Sequence, residues 1–411
     1  MEVVLERCAG LDVHKETVVA CVRVIESGRV REEVRTFKTF THNLRAMADW
    51  FAQQGVTHIA MESTGVYWKP IFNVLEGYFE ILLANAQRLK HVPGRKTDVK
   101  DCQWIAKLLQ HGLIAGSFIP ARWQREMRDL TRERANLVNE KTRIANRIQK
   151  ILEDANVKLG SVASDVLGVS GRAMLEALAG GETRPDVLAE MARGRLRDKL
   201  PELRAAFSGA TTDHHRFLIS FELRRLKAVE ADIEFLSARI EAVTRPFEAA
   251  LLLLETLPGV KQRTAENLLA EIGAEVTPFP TAGHLASWAG ICPGNKESAG
   301  KRMSGKTTKG NRWCRRAITE AAWAAAHTKK TYFGAQFRRL AGRRGKKRAI
   351  IAVAHSLITA IFHMLQRGTV YEELGPTYFD TMDTARKRRY HLRRLRELGL
   401  EVTIAEAPTA A

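Results

Sequence analysis

Over the first 110 residues, short apolar runs alternate with segments of helical periodicity. Apolar and β-branched residues cluster in short runs bounded by turn residues, which is typical of strands. The predicted strands are 8–13, 17–24, 30–37, 58–61 and 80–84. Helical spacing, with apolar residues three and four positions apart, predicts helices over about 41–51, 66–75 and 97–110. Strands followed by alternating helices and strands predict an α/β domain.

The middle of the chain carries two long amphipathic segments. Residues 123–159 contain no proline or glycine and repeat apolar residues at spacings of three, four and seven. Residues 215–243 repeat the pattern, and 161–209 between them is a loosely patterned helical region. Two long helices flanking a small insert predict a coiled-coil region that forms an antiparallel arm or a dimerisation element. A simple spacer between domains is the alternative.

The pattern changes again after residue 250. Two apolar helical segments flank Pro258-Gly259-Val260, as in a helix-hairpin-helix whose turn presents backbone N–H groups to a phosphate. A plain helix-turn-helix packing unit is the alternative explanation. The expected organisation is an α/β domain at 1–122, a helical region at 123–250, a mainly helical domain at 251–378 and a basic helical tail at 379–411.

Composition narrows the class of partner. The 411 residues carry a formal net charge of +19, which favours a polyanion. No apolar run approaches the roughly 20 residues that span a bilayer, and the first residues lack the pattern of a signal peptide. We expect a soluble cytoplasmic protein without membrane partners, associated with the nucleoid in a bacterium. The five scattered cysteines form no Cys-x-x-Cys pair and favour buried or incidental thiols.

The positive charge is concentrated in the C-terminal third. Between Lys301 and Arg348 lie sixteen Lys or Arg residues and one acidic residue, Glu320. A solvated surface normally mixes both signs, so this asymmetry predicts a surface for nucleic acid. The candidate contacts are Lys301, Arg302, Lys306, Lys309, Asn311, Arg312 and Arg315. Another basic helix is expected at 384–400.

Four carboxylates stand out in the first quarter of the chain. Asp12 and Glu62 end predicted strands, while Asp98 and Asp101 lie three positions apart on one face of a predicted helix. Carboxylate oxygens suit Mg²⁺ or Mn²⁺, and two such ions about 4 Å apart are the arrangement for phosphoryl transfer. Taken singly, Asp12 is also explained as a turn residue and Asp98 as a favourable charge in the first turn of a helix.

Ser298 is the candidate nucleophile. It lies in a Gly-rich basic segment predicted to be a flexible loop, beside Lys301 and Arg302, which could stabilise charge on a phosphate. A serine hydroxyl needs a base or a metal to attack. From the residues alone a structural role remains the alternative, and Ser304 and Thr307 are competing nucleophiles.

The order of these motifs resembles a known family. Gly10-Leu11-Asp12, Met61-Glu62-Ser63-Thr64-Gly65, Thr97-Asp98-Val99-Lys100-Asp101, Ser298-Ala299-Gly300 and Lys309-Gly310-Asn311 resemble the DEDD transposases of the insertion sequence 110 family, with its 1111 subgroup closest. The resemblance implies a RuvC-like, ribonuclease-H-type N-terminal domain, a coiled-coil middle and a family-specific C-terminal domain. It also implies that Asp12, Glu62, Asp98 and Asp101 form the metal-binding tetrad.

The same resemblance implies a mechanism and partners. Ser298 matches the serine that attacks DNA and forms a covalent 5′-phosphoserine link. Members act as dimers or tetramers in which the tetrad of one subunit meets the serine of another. A structured bridge RNA pairs with the element ends and the target DNA, and so selects them. Cys314 departs from the aliphatic residue common at its position, which affects packing only.

Two other functions are compatible with the sequence. The first is a metal-only nuclease, such as a junction resolvase, in which water attacks and Ser298 is idle. The second is a nucleic-acid-binding scaffold with an inactive site. A covalent protein–DNA adduct separates the first from a recombinase, and loss of function on replacing Asp12 excludes the second.

Overall fold

The structure is a computed structural model that divides into two compact units, Met1–Pro120 and Ala121–Ala411. It describes residues 3–26, 28–63, 65–84, 101–114, 116–294, 296–298, 301–379 and 384–400, with backbone only at 296–298, 301–304 and 384–387. The finer division into four parts that the sequence suggests stays a prediction.

The N-terminal unit is built on a five-stranded mixed sheet. Its elements are β1 (Arg7–Val13), β2 (Thr17–Glu26), β3 (Arg29–Lys38), α1 (Thr41–Gln53), β4 (His58–Glu62), α2 (Trp68–Leu75), β5 (Glu80–Ala84) and α3 (Asp101–Gln110). The strand order is β3-β2-β1-β4-β5; β1, β2 and β3 pair antiparallel, and β4 pairs parallel with both β1 and β5. This confirms the predicted α/β domain and is compatible with a ribonuclease-H-like fold.

Both faces of the central strand β1 are buried, which explains its nearly continuous apolar sequence. Alternate residues, such as Leu11, join Met47 and Phe51 of α1 in one core. The residues between them face the opposite side, where Cys8 packs with Ile105 of α3. The chain therefore covers one face of the sheet with α1 and the other with α3.

Two long helices dominate the start of the second unit. They are α4 (Arg122–Asp154) and α9 (Asp213–Thr244), as the amphipathic pattern predicts. Arg225 of α9 contacts Glu140 of α4 at 2.8 Å, and Arg147 lies 3.5 Å from Glu222, so the helices pack antiparallel within one chain. The predicted coiled coil itself stays a prediction.

The insert between these helices has its own small core. It contains α5 (Leu159–Val162), α6 (Val169–Ala179), α7 (Pro185–Glu190), a 3₁₀ helix (Gly194–Lys199) and α8 (Leu200–Ala206). Leu175, Leu188 and Leu203 from three of these helices are fully buried against Ile148 of α4 and Ile219 of α9. The insert is therefore packed onto the helix pair by apolar contacts.

The C-terminal part is mainly helical and carries a two-stranded ribbon. A 3₁₀ helix (Arg245–Phe247) leads to α10 (Glu248–Glu255), α11 (Gln262–Ile272), α12 (Ala282–Trp288), β6 (Lys296–Ser298), β7 (Lys301–Ser304), α13 (Arg312–His327), α14 (Tyr332–Arg344), α15 (Lys346–Arg367) and α16 (Thr384–Glu397). Of the described helices, α15 alone is long and apolar enough to cross a membrane. Its side chains Val353, Leu357 and Ile361 are fully buried, so α15 is the core helix of this part.

Candidate functional site

The carboxyl ends of two parallel strands bring Asp12 and Glu62 together. The register pairs Leu11 with Met61, which makes Asp12 and Glu62 the next residues on neighbouring strands. Side chains alternate along a strand, and Ala60 packs in the core beneath α3. Asp12 and Glu62 therefore both project to the face that α3 covers.

Helix α3 begins at the same end of that face. A Cβ atom on Gly10 would lie 2.3 Å from both the carbonyl oxygen of Cys102 and the amide nitrogen of Ala106, so the helix backbone rests directly on β1 there. The other end of α3 lies at the start of β1, because the Gln110 carbonyl accepts from the amide of Leu5 at 3.2 Å. Asp101, the first residue of α3, is thus at the end of β1 that carries Asp12.

Asp12 also has a neighbour, His14, that the sequence did not suggest. His14 Nε2 lies 3.1 Å from Asp12 Oδ2, and the Asp12 side chain keeps 25% of its surface exposed. Asp98 lies outside the described residues. Among the described residues no three His, Cys, Asp or Glu side chains are grouped closely enough to hold a metal ion. The fold thus brings Asp12, Glu62 and Asp101 to one edge, while the tetrad stays a prediction.

Ser298 lies in a β-ribbon and not in the flexible loop that the sequence suggested. Ser298 of β6 pairs with Lys301 of β7, and a bulge lies at Lys296 and Glu297. The pairing continues towards the helices through a bridge between Pro293 and Thr307. Backbone pairing overrides the Gly, Ser and Lys composition that indicated a loop. We call the described residues 292–294, 296–298 and 301–308 the serine arm.

The Lys309-Gly310-Asn311 motif closes the base of this arm. A Cβ atom on Gly310 would lie 2.1 Å from the backbone nitrogen of Gly290, so only glycine allows the two legs of the arm to approach so closely. The backbone N–H of Asn311 also donates to the Trp288 carbonyl at 2.8 Å. The motif therefore joins the two ends of the arm to α12 and α13.

Asn311 is held by bonds within the protein, although the sequence suggested a contact with nucleic acid. Its Oδ1 accepts from the amides of Trp313 at 2.9 Å and Cys314 at 3.1 Å, capping α13, and its Nδ2 donates to Glu271 Oε2 at 2.6 Å. Glu271 is only 2% exposed. A role in binding nucleic acid stays a prediction for Asn311, whose side chain already has structural partners.

The other candidate contacts differ in their surroundings. Lys306, Lys309 and Arg312 are exposed, and the Arg312 guanidinium lies over the Trp313 ring at 4.7 Å. Arg315 is half-buried, with Nη1 3.4 Å from the Thr308 carbonyl. The side chains of Lys301 and Arg302 are outside the described residues, although their backbone belongs to β7.

A second group of cations lies where α14 meets α15. Arg343, Arg344, Lys346, Lys347 and Arg348 are all exposed, and none has an acidic partner among the described residues. Three of them occupy the first turn of α15, where the helix dipole favours negative charge. We call these five residues the junction cations; their charge is available to a polyanion.

The Pro258-Gly259-Val260 turn joins α10 to α11, as the helix-turn-helix pattern predicts. A Cβ atom on Gly259 would lie 2.3 Å from the Ala321 carbonyl oxygen and 2.6 Å from the Ala325 nitrogen of α13. The Val260 amide donates to the Leu257 carbonyl at 3.1 Å. Both contacts support the alternative of a packing unit over a phosphate-binding turn.

The cysteines are unsuited to nucleophilic chemistry. Cys8, Cys21, Cys102 and Cys314 are buried, and only Cys292 is partly exposed. Burial raises the pKa of Cys8 to about 11 and that of Cys21 to about 12. Burial, and then the Glu271 carboxylate, raises the pKa of Cys314 still further. The thiols of Cys8, Cys21 and Cys314 therefore stay protonated, as expected for packing residues.

Comparison with known proteins gives two family matches. A family model described as Transposase matches residues 9–157, and a model described as Transposase IS116/IS110/IS902 family matches residues 251–338. Together the matches span more than half of the chain. The first includes the strands and helices that carry Asp12, Glu62 and Asp101, and the second includes the serine arm.

The chain is similar to three bacterial proteins, over alignments of different lengths. The chain is 36% identical to the insertion element IS110 uncharacterized 43.6 kDa protein of Streptomyces coelicolor, over 37% of each chain. It is 26% identical to the insertion element IS900 uncharacterized 42 kDa protein of Mycobacterium paratuberculosis, over 72% of this chain and 81% of that protein. It is also 26% identical to putative transposase y4rJ of Sinorhizobium fredii, over 62% of this chain and 61% of that protein.

Proposed function

The chain belongs to the IS110 family of insertion-sequence transposases, and from this premise we propose that it cuts and rejoins DNA strands during transposition. One observation carries the proposal beyond family membership. The sheet register and the contact between Gly10 and α3 bring Asp12, Glu62 and Asp101 to one edge of a ribonuclease-H-like sheet. That edge is where an acidic site for phosphoryl transfer is expected.

The chemistry of these side chains fits a divalent metal. Asp12, Glu62 and Asp101, together with Asp98, would hold Mg²⁺ or Mn²⁺, because hard cations prefer carboxylate oxygens. Bound there, the metal would polarise the phosphate and lower the pKa of the attacking hydroxyl. His14, 3.1 Å from Asp12, orients the Asp12 carboxylate. The tetrad is part of the proposal.

We propose that Ser298 is the nucleophile. Its Oγ forms a bond to the DNA phosphorus while the bond from phosphorus to the 3′ oxygen breaks. The serine proton is transferred overall to the leaving 3′ hydroxyl, and the product is a 5′-phosphoserine link. Reversal with a different 3′ hydroxyl rejoins the strand. The position of Ser298 in a paired ribbon supports this role, because a paired backbone presents a side chain with less freedom than a loop.

Nucleic-acid binding is the best supported part of the partner proposal. The junction cations have no acidic partners among the described residues, and the net charge of +19 has the sign that DNA or RNA requires. We also propose a structured guide RNA, a dimer or tetramer with composite sites, and a cytoplasmic location at the nucleoid. The guide RNA and the oligomer follow from the family resemblance, and the location follows from the sequence pattern.

Covalent trapping tests the reaction. The wild type, Ser298→Ala and Asp12→Ala are incubated with Mg²⁺, the element ends and RNA transcribed from the flanks of the element. We expect a denaturation-resistant protein–DNA adduct with the wild type and none with either variant. Cleavage without an adduct, unchanged in Ser298→Ala, would instead indicate a metal-only nuclease. DNA binding without cleavage, unchanged in Asp12→Ala, would indicate a scaffold.

A further inference from the structure

Glu271, at the end of α11, is a buried carboxylate with donors from two other elements. Arg132 of α4 donates through Nε at 2.8 Å and Nη2 at 2.9 Å, and Arg128 Nε lies 3.3 Å away. Asn311 Nδ2 donates at 2.6 Å. A carboxylate that is 2% exposed is stable only when such donors surround it, which restricts the positions of all of these groups.

The surrounding backbone holds Glu271 itself in place. Gln124 Nε2 donates to the carbonyls of Ala270 at 3.1 Å and Glu271 at 3.2 Å, and Arg128 also donates to both. These carbonyls end α11 and lack partners within the helix. Helix α4 therefore supplies the C-terminal cap of α11, so the carboxylate projects from a rigid support.

Asn311 uses both ends of its amide. Its oxygen caps α13 and its nitrogen bonds Glu271, and this is the one orientation of the amide that satisfies both groups. Asn311 lies three residues after Thr308, the last residue of the serine arm. Its backbone amide bonds Trp288, at the end of the helix before the outgoing leg. Both legs are thus tied to the Glu271 carboxylate through residue 311.

We propose that Glu271 and Asn311 are positioning residues that set the orientation of the serine arm, and hence of Ser298, for attack on DNA. The inference rests on the proposed role of Ser298. In this role both residues act through the arm and not on the reacting atoms. The bond between them links the base of the arm to α11 and α4, so the arm is oriented from its base.

The length of the arm makes this link important. The leg from residue 308 to 301 contains β7 and the bridged Thr307, and it spans at most roughly 23 Å at about 3.3 Å per residue. A tilt of about 5° at the base therefore moves the serine by roughly 2 Å, whereas a misplacement of about 1 Å can already slow a reaction by about 100-fold. Small changes at residue 311 should accordingly affect chemistry far more than binding.

Variants at residue 311 test the link. Asn311→Ser retains a good helix cap but is too short to reach Glu271, and Thr331→Ser makes a cap change at α14, away from the arm. We expect Asn311→Ser to form the covalent adduct about tenfold more slowly or worse, and to lose much less in DNA affinity than in the rate of adduct formation. Hydrogen exchange of the serine arm should be faster in this variant. Thr331→Ser should match the wild type in all three measurements.

A reciprocal exchange provides the rescue. Asn311→Asp keeps the helix cap but places a second carboxylate against that of Glu271. Adding Glu271→Gln restores one donor and one acceptor across the contact, with the donor now at residue 271 and the negative charge at residue 311. We expect Asn311→Asp alone to be slow and the double variant to recover adduct formation. All assays are run below the thermal transition of each variant.

The outcomes separate the inference from the proposed reaction. If the wild type forms no adduct, the proposed role of Ser298 is wrong. Comparing hydrogen exchange of the arm in the wild type and in Asn311→Ser still tests whether Asn311 anchors the arm. If the wild type forms the adduct and Asn311→Ser does so equally fast with unchanged exchange, the positioning role is wrong. Equal loss of DNA binding and adduct would likewise overturn it, because the defect would then lie in binding.

Discussion

Arg134 and Glu266 form an ion pair from which water is almost excluded. Arg134 Nη1 lies 2.6 Å from Glu266 Oε2, and the two residues are 3% and 2% exposed. Arg134 also donates to Asn267 Oδ1 at 3.2 Å. On the same helix, Arg122 pairs with Glu126 at 3.0 Å while 81% of its side chain is exposed. The two arginines thus differ mainly in burial.

Replacing each arginine tests the effect of that burial. Arg134→Ala leaves the Glu266 charge buried without its partner, and we expect a loss of about 3–5 kcal/mol in the free energy of unfolding. Arg122→Ala should change it by less than about 1 kcal/mol. Urea unfolding followed by circular dichroism measures both. A small effect of Arg134→Ala would mean that water reaches this site.

Gly10 is the residue on which the acidic edge depends. Any Cβ there meets backbone atoms of α3, which cannot rotate away as a side chain could. Gly10→Ala should therefore displace α3 and reduce the free energy of unfolding by about 1–3 kcal/mol. The matched control is Gly116→Ala, whose new Cβ would meet only the Leu82 side chain, at 3.7 Å or more.

The same displacement should separate Asp101 from Asp12. We expect Gly10→Ala to weaken Mg²⁺-dependent cleavage even at temperatures where the protein is folded, and Gly116→Ala to leave cleavage unchanged. The measurement is the cleavage rate against Mg²⁺ concentration. An unaltered Mg²⁺ dependence in Gly10→Ala would show that the spacing of α3 and β1 is not critical for the acidic edge.

At the scale of elements, α4, α6 and α9 are joined by a shared carboxylate. Glu230 of α9 accepts from Arg172 of α6 at 2.6 Å and contacts Lys141 of α4 at 2.7 Å. The hydrogen bond from Arg172, followed by that from Lys141, lowers the pKa of Glu230 from its ordinary 4.5 to about 2. The packing of three helices is thereby linked to pH.

The sign of this linkage follows from the lowered pKa. A carboxylate with a lower pKa in the folded state contributes stability above its unfolded pKa, and that contribution is lost as the pH falls towards the folded pKa. The stability advantage of wild type over Glu230→Gln should thus be complete above about pH 5 and shrink towards pH 2. Urea midpoints at several pH values measure it. Glu234→Gln is the control, because the Glu234 side chain is 75% exposed.

At the scale of the whole molecule, exposed cations differ in whether an acidic residue neutralises them. In the helical insert, Arg184, Arg197 and Arg204 are exposed but each faces an acidic residue. The junction cations are equally exposed and have no such partner among the described residues. The junction cations should therefore contribute more to binding a polyanion than these three paired arginines do.

Two triple variants with the same charge change test this division. Lys346→Gln, Lys347→Gln and Arg348→Gln together should weaken binding to a linear DNA duplex. They should also reduce the slope of log affinity against log salt by about 0.9 for each phosphate that the protein no longer neutralises. Arg184→Gln, Arg197→Gln and Arg204→Gln together should change both much less. Equal effects would mean that total charge, not its location, governs binding.

The free energy of unfolding of the junction variant shows whether its weaker binding could come from unfolding. The three junction substitutions remove cations from the first turn of α15, where the helix dipole disfavours them. The variant should therefore be as stable as the wild type or slightly more so, by about 0.3–1 kcal/mol. Weaker binding in a more stable protein cannot be attributed to unfolding.

The sequence by itself determined the elements of this protein and the classes of chemistry that they carry. Periods of two and of three to four residues are local properties, so the five strands, the two long helices and the acidic ends of β1 and β4 could be predicted. The motifs likewise pointed to the correct transposase family. Net charge is also a property of the chain alone, and it indicated a polyanion.

Only the tertiary structure decided which residues meet. Ser298 was expected in a loop because its neighbours are polar and small, but pairing with the strand that begins at Lys301 placed it in a ribbon. Asn311 was expected at a phosphate as part of the Lys309-Gly310-Asn311 motif, yet the Glu271 carboxylate, forty residues earlier, accepts from its side-chain amide. His14 and Glu271 carried no local signal. A residue's partner depends on how distant segments pack, and no local pattern contains that information.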